Sequence, residues 1–272
     1  NPQNGQNIFV GTLKNGILKT EDGGENWSAL VFPAEKVYGL VNDHADGNIV
    51  YASGVYKERG KIFKSLNGGV DWDEVYTAPS DGPLVVAMAN DRKNSSVLFA
   101  ATSDKQMIKS TDAGVSWKNI YASNSPITKI VADGSLVYAN TQSGDLWISR
   151  DGGKKFEVSS IKGDVNFIAI DQGNASMIYA AGKAGLFRSR DAGKDWEELK
   201  TLGDPGSFPV KVVAVNPANS AEIVYGAGQA IYKSVDGGSS WMTSQLETEK
   251  NISTIMYDTG NSSVLYLGLK KK

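Results

Sequence analysis

One short motif recurs six times along this chain and limits the folds open to it more than any other feature. It reads TEDGGENW from Thr20, SLNGGVDW from Ser65, STDAGVSW from Ser110, SRDGGKKF from Ser149, SRDAGKDW from Ser189 and SVDGGSSW from Ser234, with starts 45, 45, 39, 40 and 45 residues apart. A period of about 40–45 residues is the repeat length of four-stranded propeller blades. The repeats leave no interior domain boundary.

Each unit reads as four short strands. In the unit that ends at Trp241, VKVVAVNP is an apolar run, EIVYGAG a second, QAIYKS a third that leads into the motif, and WMTSQL a fourth. Val, Ile and Tyr dominate the runs while Gly, Asn, Asp and Pro separate them, which is the chemistry of strands joined by turns. PLVVAMAND, SVLFAAT, QMIKS and WKNIY repeat the same order in the third unit.

The motif fits the tight turn between the third and fourth strands. Its acidic position, Asp22, Asn67, Asp112, Asp151, Asp191 and Asp236, offers an oxygen to turn N–H groups as Asx turns do. The next position alternates between Gly and Ala, but the one after it is glycine in all six copies, which places the positive φ at Gly24, Gly69, Gly114, Gly153, Gly193 and Gly238. The closing aromatics Trp27, Trp72, Trp117, Phe156, Trp196 and Trp241 are expected to begin the outer strand and to bury a large apolar ring.

These residues resemble the Asp-box, or BNR, family of repeats, with the pattern S/T-x-D-x-G-x-x-W. Asn67 and Phe156 are the two departures. The resemblance implies an all-β chain folded as a β-propeller of four-stranded antiparallel blades, with the box itself structural. Such propellers serve very different functions: sialidases, xyloglucanase-type glycosidases, sortilin-type receptor domains and photosystem II assembly factors of the Ycf48 type. A shared box therefore implies fold and leaves activity to the sites built on it.

Inner strands are expected near 36–42, 84–90, 127–133, 165–171, 210–216 and 252–258. Second strands occur seven times, because NIFVGT opens the chain and VLYLGL closes it. Six blades in a single domain spanning 1–272, closed by strands from both termini, is the preferred count. On that count Val264–Leu269 is a surplus strand; a chain cut from a seven-bladed propeller is the alternative.

Charge and composition narrow the partners. Twenty-eight basic and 30 acidic residues give a formal charge of −2, without the basic clusters of nucleic-acid or polybasic membrane binding. No apolar run reaches membrane-spanning length, and the opening NPQNGQN carries no signal-peptide pattern, as a processed chain would not. The absence of cysteine removes disulfides, thiolate metal sites and a cysteine nucleophile. With a single histidine, His44, in the turn NDHADGN, neither a transition-metal site nor a histidine base is expected. The box also lacks the staggered carboxylates of a calcium loop, so no metal or other cofactor is expected.

Enzymatic readings fare poorly on the residues. A sialidase needs three clustered arginines and a tyrosine–glutamate pair, and this chain has only Arg59, Arg92, Arg150, Arg188 and Arg190. A two-carboxylate glycosidase needs facing acids, whereas Glu35, Asp81, Asp164 and Asp204 read as separate turn residues. Trp147 aligns with Leu18, Phe63, Ile108, Phe187 and Tyr232 and reads as core. Five N-x-S/T sequons, at Asn26, Asn94, Asn174, Asn251 and Asn261, fall in Asn- and Ser-rich segments. The second-to-third and fourth-to-first strand connections share the face opposite the boxes, and by analogy that face carries function. Its longest segments, 53–61, 76–83 and 200–209, place Tyr56, Lys57, Glu58, Arg59, Tyr76, Asp81, Asp204 and Phe208 as candidate binding residues, aromatic and Arg side chains being typical interface anchors. The resulting expectation is a non-catalytic scaffold that binds a protein partner outside the cytoplasm. A carbohydrate-active module, either a glycosidase fragment or a glycan-binding propeller, is the alternative.

Overall fold

Alternating Val, Ile and Tyr between turn residues form strands throughout, and a computed structural model describes residues 1–79, 82–161, 164–203 and 209–271. Among these no helix occurs. The fold is an all-β, six-bladed β-propeller with four-stranded antiparallel blades. Blade 2 comprises Val37–Asn42, Val50–Tyr56, Arg59–Ser65 and Asp73–Thr77; blade 3 comprises Val85–Asp91, Asn94–Thr102, Gln106–Ser110 and Lys118–Ala122. Blade 4 is Ile127–Asp133, Leu136–Thr141, Leu146–Ser149 and Glu157–Val158; blade 5 is Val165–Ile170, Ile178–Gly182, Gly185–Ser189 and Glu197–Leu199. Blade 6 follows with Val212–Asn216, Asn219–Ala227, Ala230–Ser234 and Met242–Gln245.

The two ends differ from these. The sheet of blade 1 has three strands, Ile8–Gly11, Ile17–Thr20 and Ser28–Ala29. At the C-terminus, Asn251–Tyr257 pairs with Leu265–Lys270 in a two-stranded sheet, from Asn251 opposite Lys270 to Tyr257 opposite Leu265. The segment expected as surplus is therefore the antiparallel partner of the last inner strand, because the turn at 258–264 folds it straight back: Asp258 Oδ1 accepts the N–H groups of Gly260 and Asn261 at 2.7 and 2.9 Å.

The chain divides into two compact units, Asn1–Ala139 with Ser149–Lys155, and Asn140–Ile148 with Phe156–Lys272. In the first, buried Tyr51 and Ile62 of blade 2 meet Val85, Met88, Leu98, Ala100 and Ile108 of blade 3. In the second, Tyr179 and Leu186 of blade 5 meet Val213, Ile223 and Tyr225 of blade 6, while Val212 and Val224 are covered by Ile252, Ile255 and Tyr257. Each large side chain fully buried this way contributes about 1.5–3 kcal/mol.

The box hairpins are held by one repeated hydrogen-bond ring. In blade 3, Ser110 Oγ donates to Asp112 Oδ1 at 2.8 Å and accepts the Gly114 N–H at 2.9 Å, while Ser116 N–H donates to Asp112 Oδ1 at 2.8 Å. The Asn67 departure is compensated by Asp71: Asn67 Nδ2 donates to Asp71 Oδ2 at 2.8 Å, the reverse of blade 1, where Asn26 Nδ2 donates to Asp22 Oδ2 at 2.8 Å. Two expectations about the box need correction. Positive φ occurs at both central positions, including Ala113 (57°) and Ala192 (61°), and what bars a side chain from the second is space as well as angle. A Cβ on Gly153, at φ 91°, would lie 3.0 Å from both Ile120 Cδ1 and Phe99 Cε1.

The aromatic, too, precedes the outer strand by one residue, and it packs toward the preceding blade. Trp72 lies edge-on to Phe32 at 5.0 Å and Trp117 to Tyr76 at 5.9 Å, and both indoles donate to the box glycine carbonyl at 3.0 Å. Trp27, by contrast, is 43% exposed.

Candidate functional site

The loop expected at 53–61 is a β-hairpin. Its strands pair as far as Tyr56 opposite Arg59, leaving Lys57 and Glu58 as a two-residue turn with φ of 49° and 64°. That is the pattern of a type I′ turn, whose twist suits a hairpin but which favours Asn-Gly. For two residues with side chains, the left-handed conformation costs about 1 kcal/mol each.

This geometry sorts the candidate residues. The Tyr56 ring sits edge-on to Phe63 at 6.3 Å, with Lys57 Nζ 5.2 Å and Lys61 Nζ 5.7 Å from its centre. Lys57 and Glu58 are exposed at the turn. Arg59 is not a solvent-facing anchor: half-buried, its guanidinium donates to the Ala78 carbonyl and its Nε is buried without a hydrogen-bond partner. Strand extension draws it back over the blade, so it tethers the chain at Ala78. Tyr76 is likewise half-buried against Trp117, and burial raises its phenol pKa. Asp81, Asp204 and Phe208 lie outside the described residues. What the structure gathers is Tyr56, Lys57, Glu58 and Lys61, the last ion-paired with Glu74, whose carboxyl the ammonium holds below its usual range.

The remaining polar candidates are engaged within the fold. Asp164 pairs with Lys183 at 2.5 Å, Arg92 with Asp133 at 3.4 Å, and Arg188 and Arg190 with Glu197 at 2.5 and 3.1 Å. His44 sits in a turn, its backbone N–H donating to Asn90 Oδ1 at 3.4 Å, and desolvation lowers its pKa. Trp147 is half-buried, opposite Val158 on the outer strand. Among the described residues no group of three or more His, Cys, Asp or Glu could hold a metal ion, and no helix is long and apolar enough to cross a membrane.

Sequence reasoning passed over Lys129, on the inner strand of blade 4, whose ammonium burial draws down to about 7. The signal was present as the single cation in the apolar strand ITKIVAD. It also passed over a device at the residue before the box serine. Lys64 Nζ donates to the Ala113 carbonyl at 3.1 Å, Lys109 Nζ to that of Gly152 at 2.8 Å and Arg188 Nη1 to that of Gly237 at 2.6 Å, so each cation clamps the next blade's box.

Six boxes on four-stranded blades define an Asp-box β-propeller. The family described as "Photosynthesis system II assembly factor YCF48" matches residues 131–266, half of the 272-residue chain, and the chain belongs to that family. A curated xyloglucanase of Hypocrea jecorina is 25% identical over 204 residues, covering 72% of this chain and 24% of its own length. Among solved structures, a GH74 xyloglucanase from Xanthomonas campestris is similar with a TM-score of 0.80 at 17% identity, over 99% of this chain and 49% of that one. A structure of YCF48 bound to D1 peptide is similar with a TM-score of 0.78 at 15% identity, over 98% of this chain and 88% of that one. At these identities the structural likenesses establish the fold, and the chain spans about a quarter of the curated xyloglucanase it matches.

Proposed function

We propose that this protein is a non-catalytic scaffold whose loop face binds an extended segment of a protein partner, and that it works outside the cytoplasm. The observation that carries this reading is membership of the YCF48 assembly-factor family. The fold resembles that of a YCF48 structure in which a D1 peptide is bound. The hairpin tip offers such a segment an aromatic ring flanked by two ammonium groups, suited to apolar and acidic residues. The carboxylate Glu74 beside this tip is taken up by Lys61.

A second reading, a carbohydrate-binding or glycosidase-derived module, is favoured by the sequence relatives that are xyloglucanases. One experiment separates the two. The protein is titrated with labelled D1 peptide and, in parallel, with a xyloglucan oligosaccharide while released reducing ends are measured. The peptide is expected to bind, and Tyr56→Ala/Lys57→Ala to weaken it by at least about 2 kcal/mol, the size of an interface hot spot, without lowering Tm. Saccharide binding without peptide binding would overturn the scaffold reading.

A further inference from the structure

The opposite edge of the first unit carries a pattern that the box does not require. The box carboxylate takes no bond from the side chain at the second or sixth position, the sixth residue joining the ring in boxes 4, 5 and 6 through its backbone N–H alone, so the six copies show which side chains the turn tolerates there. Box 1 has Glu21 and Glu25, and box 4 has Arg150 and Lys154. Box 2 instead has Leu66 and Val70, exposed at 61% and 64%, and box 3 has Val115 at 82%. Turn tips favour Gly, Asn, Asp and Ser, and neither the fold nor the repeat demands three bare aliphatic side chains at adjacent tips.

The boxes stand next to one another in chain order. Lys64 of blade 2 holds the box of blade 3 and Lys109 of blade 3 the box of blade 4, while Lys19 Nζ lies 3.4 Å from where a Cβ on Gly68 would stand. Boxes 1–3, and box 4 as far as Lys155, belong to the first unit. They form a strip that is acidic at one end, apolar in the middle and basic at the other. Glu21 is shared with Lys19 at 2.7 Å, whereas Glu25 and Lys154 are exposed.

We propose that the box edge of blades 1–4 is a docking strip for a protein segment with a basic end, an apolar middle and an acidic end. The basic end lies over Glu21 and Glu25, the apolar middle covers Leu66, Val70 and Val115, and the acidic end meets Lys154. Charge order decides against a lipid surface, since an anionic bilayer would be repelled at the acidic end of the strip. The strip is on the other face of the blades from the Tyr56 hairpin and is independent of the function proposed above.

The test uses the full chain and three synthetic peptides that share a leucine-rich middle and differ only at their ends: lysine pair and glutamate pair, lysine pairs at both, glutamate pairs at both. The mixed-end peptide is expected to bind at least about tenfold more tightly than either of the others, with the preference fading at high salt. The variant Leu66→Ser/Val70→Ser/Val115→Ser is expected to lose about tenfold or more in affinity at unchanged Tm, because the box accepts polar residues at these positions elsewhere. Glu21→Lys/Glu25→Lys is expected to shift the preference to the peptide with glutamate at both ends. Equal binding of the three peptides, or undiminished binding by the serine variant, would overturn the proposal. So would serine-sensitive self-association, or serine-sensitive binding to vesicles of phosphatidylcholine and phosphatidylglycerol, since the occupant would then be a second copy or a membrane.

Discussion

The two central positions of the box separate angle from space. Ala113 and Ala192 already occupy the first, so Gly152→Ala, at φ 73° and with Lys109 Nζ as its nearest neighbour at 3.8 Å, should lower stability by no more than about 1 kcal/mol. Gly153→Ala adds a methyl group 3.0 Å from Phe99 and Ile120, and should cost about 2 kcal/mol or more by urea titration. Equal effects would mean that only backbone angle matters. The acidic residue has a pH signature. Accepting the Ser116 hydroxyl and N–H holds the Asp112 carboxyl at about 2, and the Ser240 hydroxyl and the Asn26 N–H do the same for Asp236 and Asp22. A carboxyl whose pKa is depressed on folding stabilises the native state above its unfolded pKa and loses that effect as pH falls through the folded value. The urea midpoint should therefore fall between about pH 4 and about pH 2, less steeply in Asp112→Asn, and a flat profile would exclude this role for the boxes.

At the scale of one element, the blade 2 hairpin holds Lys57 and Glu58 in a left-handed turn that Asn-Gly adopts more readily. Lys57→Asn/Glu58→Gly should raise stability by about 1 kcal/mol while weakening the peptide binding proposed above, since it removes one of the two ammonium groups at Tyr56. Thermal unfolding and peptide titration of the same variant check the two halves. A destabilised variant would show that the turn is favoured by contacts of Lys57 or Glu58. The hairpin also shows where reading by segment stopped. Its strand character was hidden because the two turn positions of SGVYKERGK are Lys57 and Glu58 and not the Asn and Gly that mark such a turn, and with the turn placed correctly Arg59 points to Ala78 and Tyr76 onto Trp117.

For the whole molecule, we propose that 1–272 unfolds as one cooperative unit although it divides into two compact ones. Calorimetry should give one transition, and two resolved transitions would refute it. Asn251–Tyr257 and its partner Leu265–Lys270 cover Val212, Ala214 and Val224 of blade 6. Deleting Asn251 onward should uncover that apolar face and cause loss of soluble monomer on gel filtration. A truncated chain that stayed monomeric with unchanged Tm would show that this sheet is dispensable.

The sequence by itself determined the blade repeat, the strand order and the box hairpins, because each rests on contacts within a few residues: a serine to a glycine four positions on, an aspartate to an N–H four positions on, and alternating side chains along one strand. Even the Asn67 departure was legible in principle, since its compensating Asp71 is four residues away. Tertiary structure decided what depends on distant chain: that Arg59 is a tether, that Tyr76 is covered, that Trp27 is exposed, and that Leu265–Lys270 completes a ladder with Asn251–Tyr257. Accessibility is set by which neighbouring blade supplies a wall, and no local spacing encodes that.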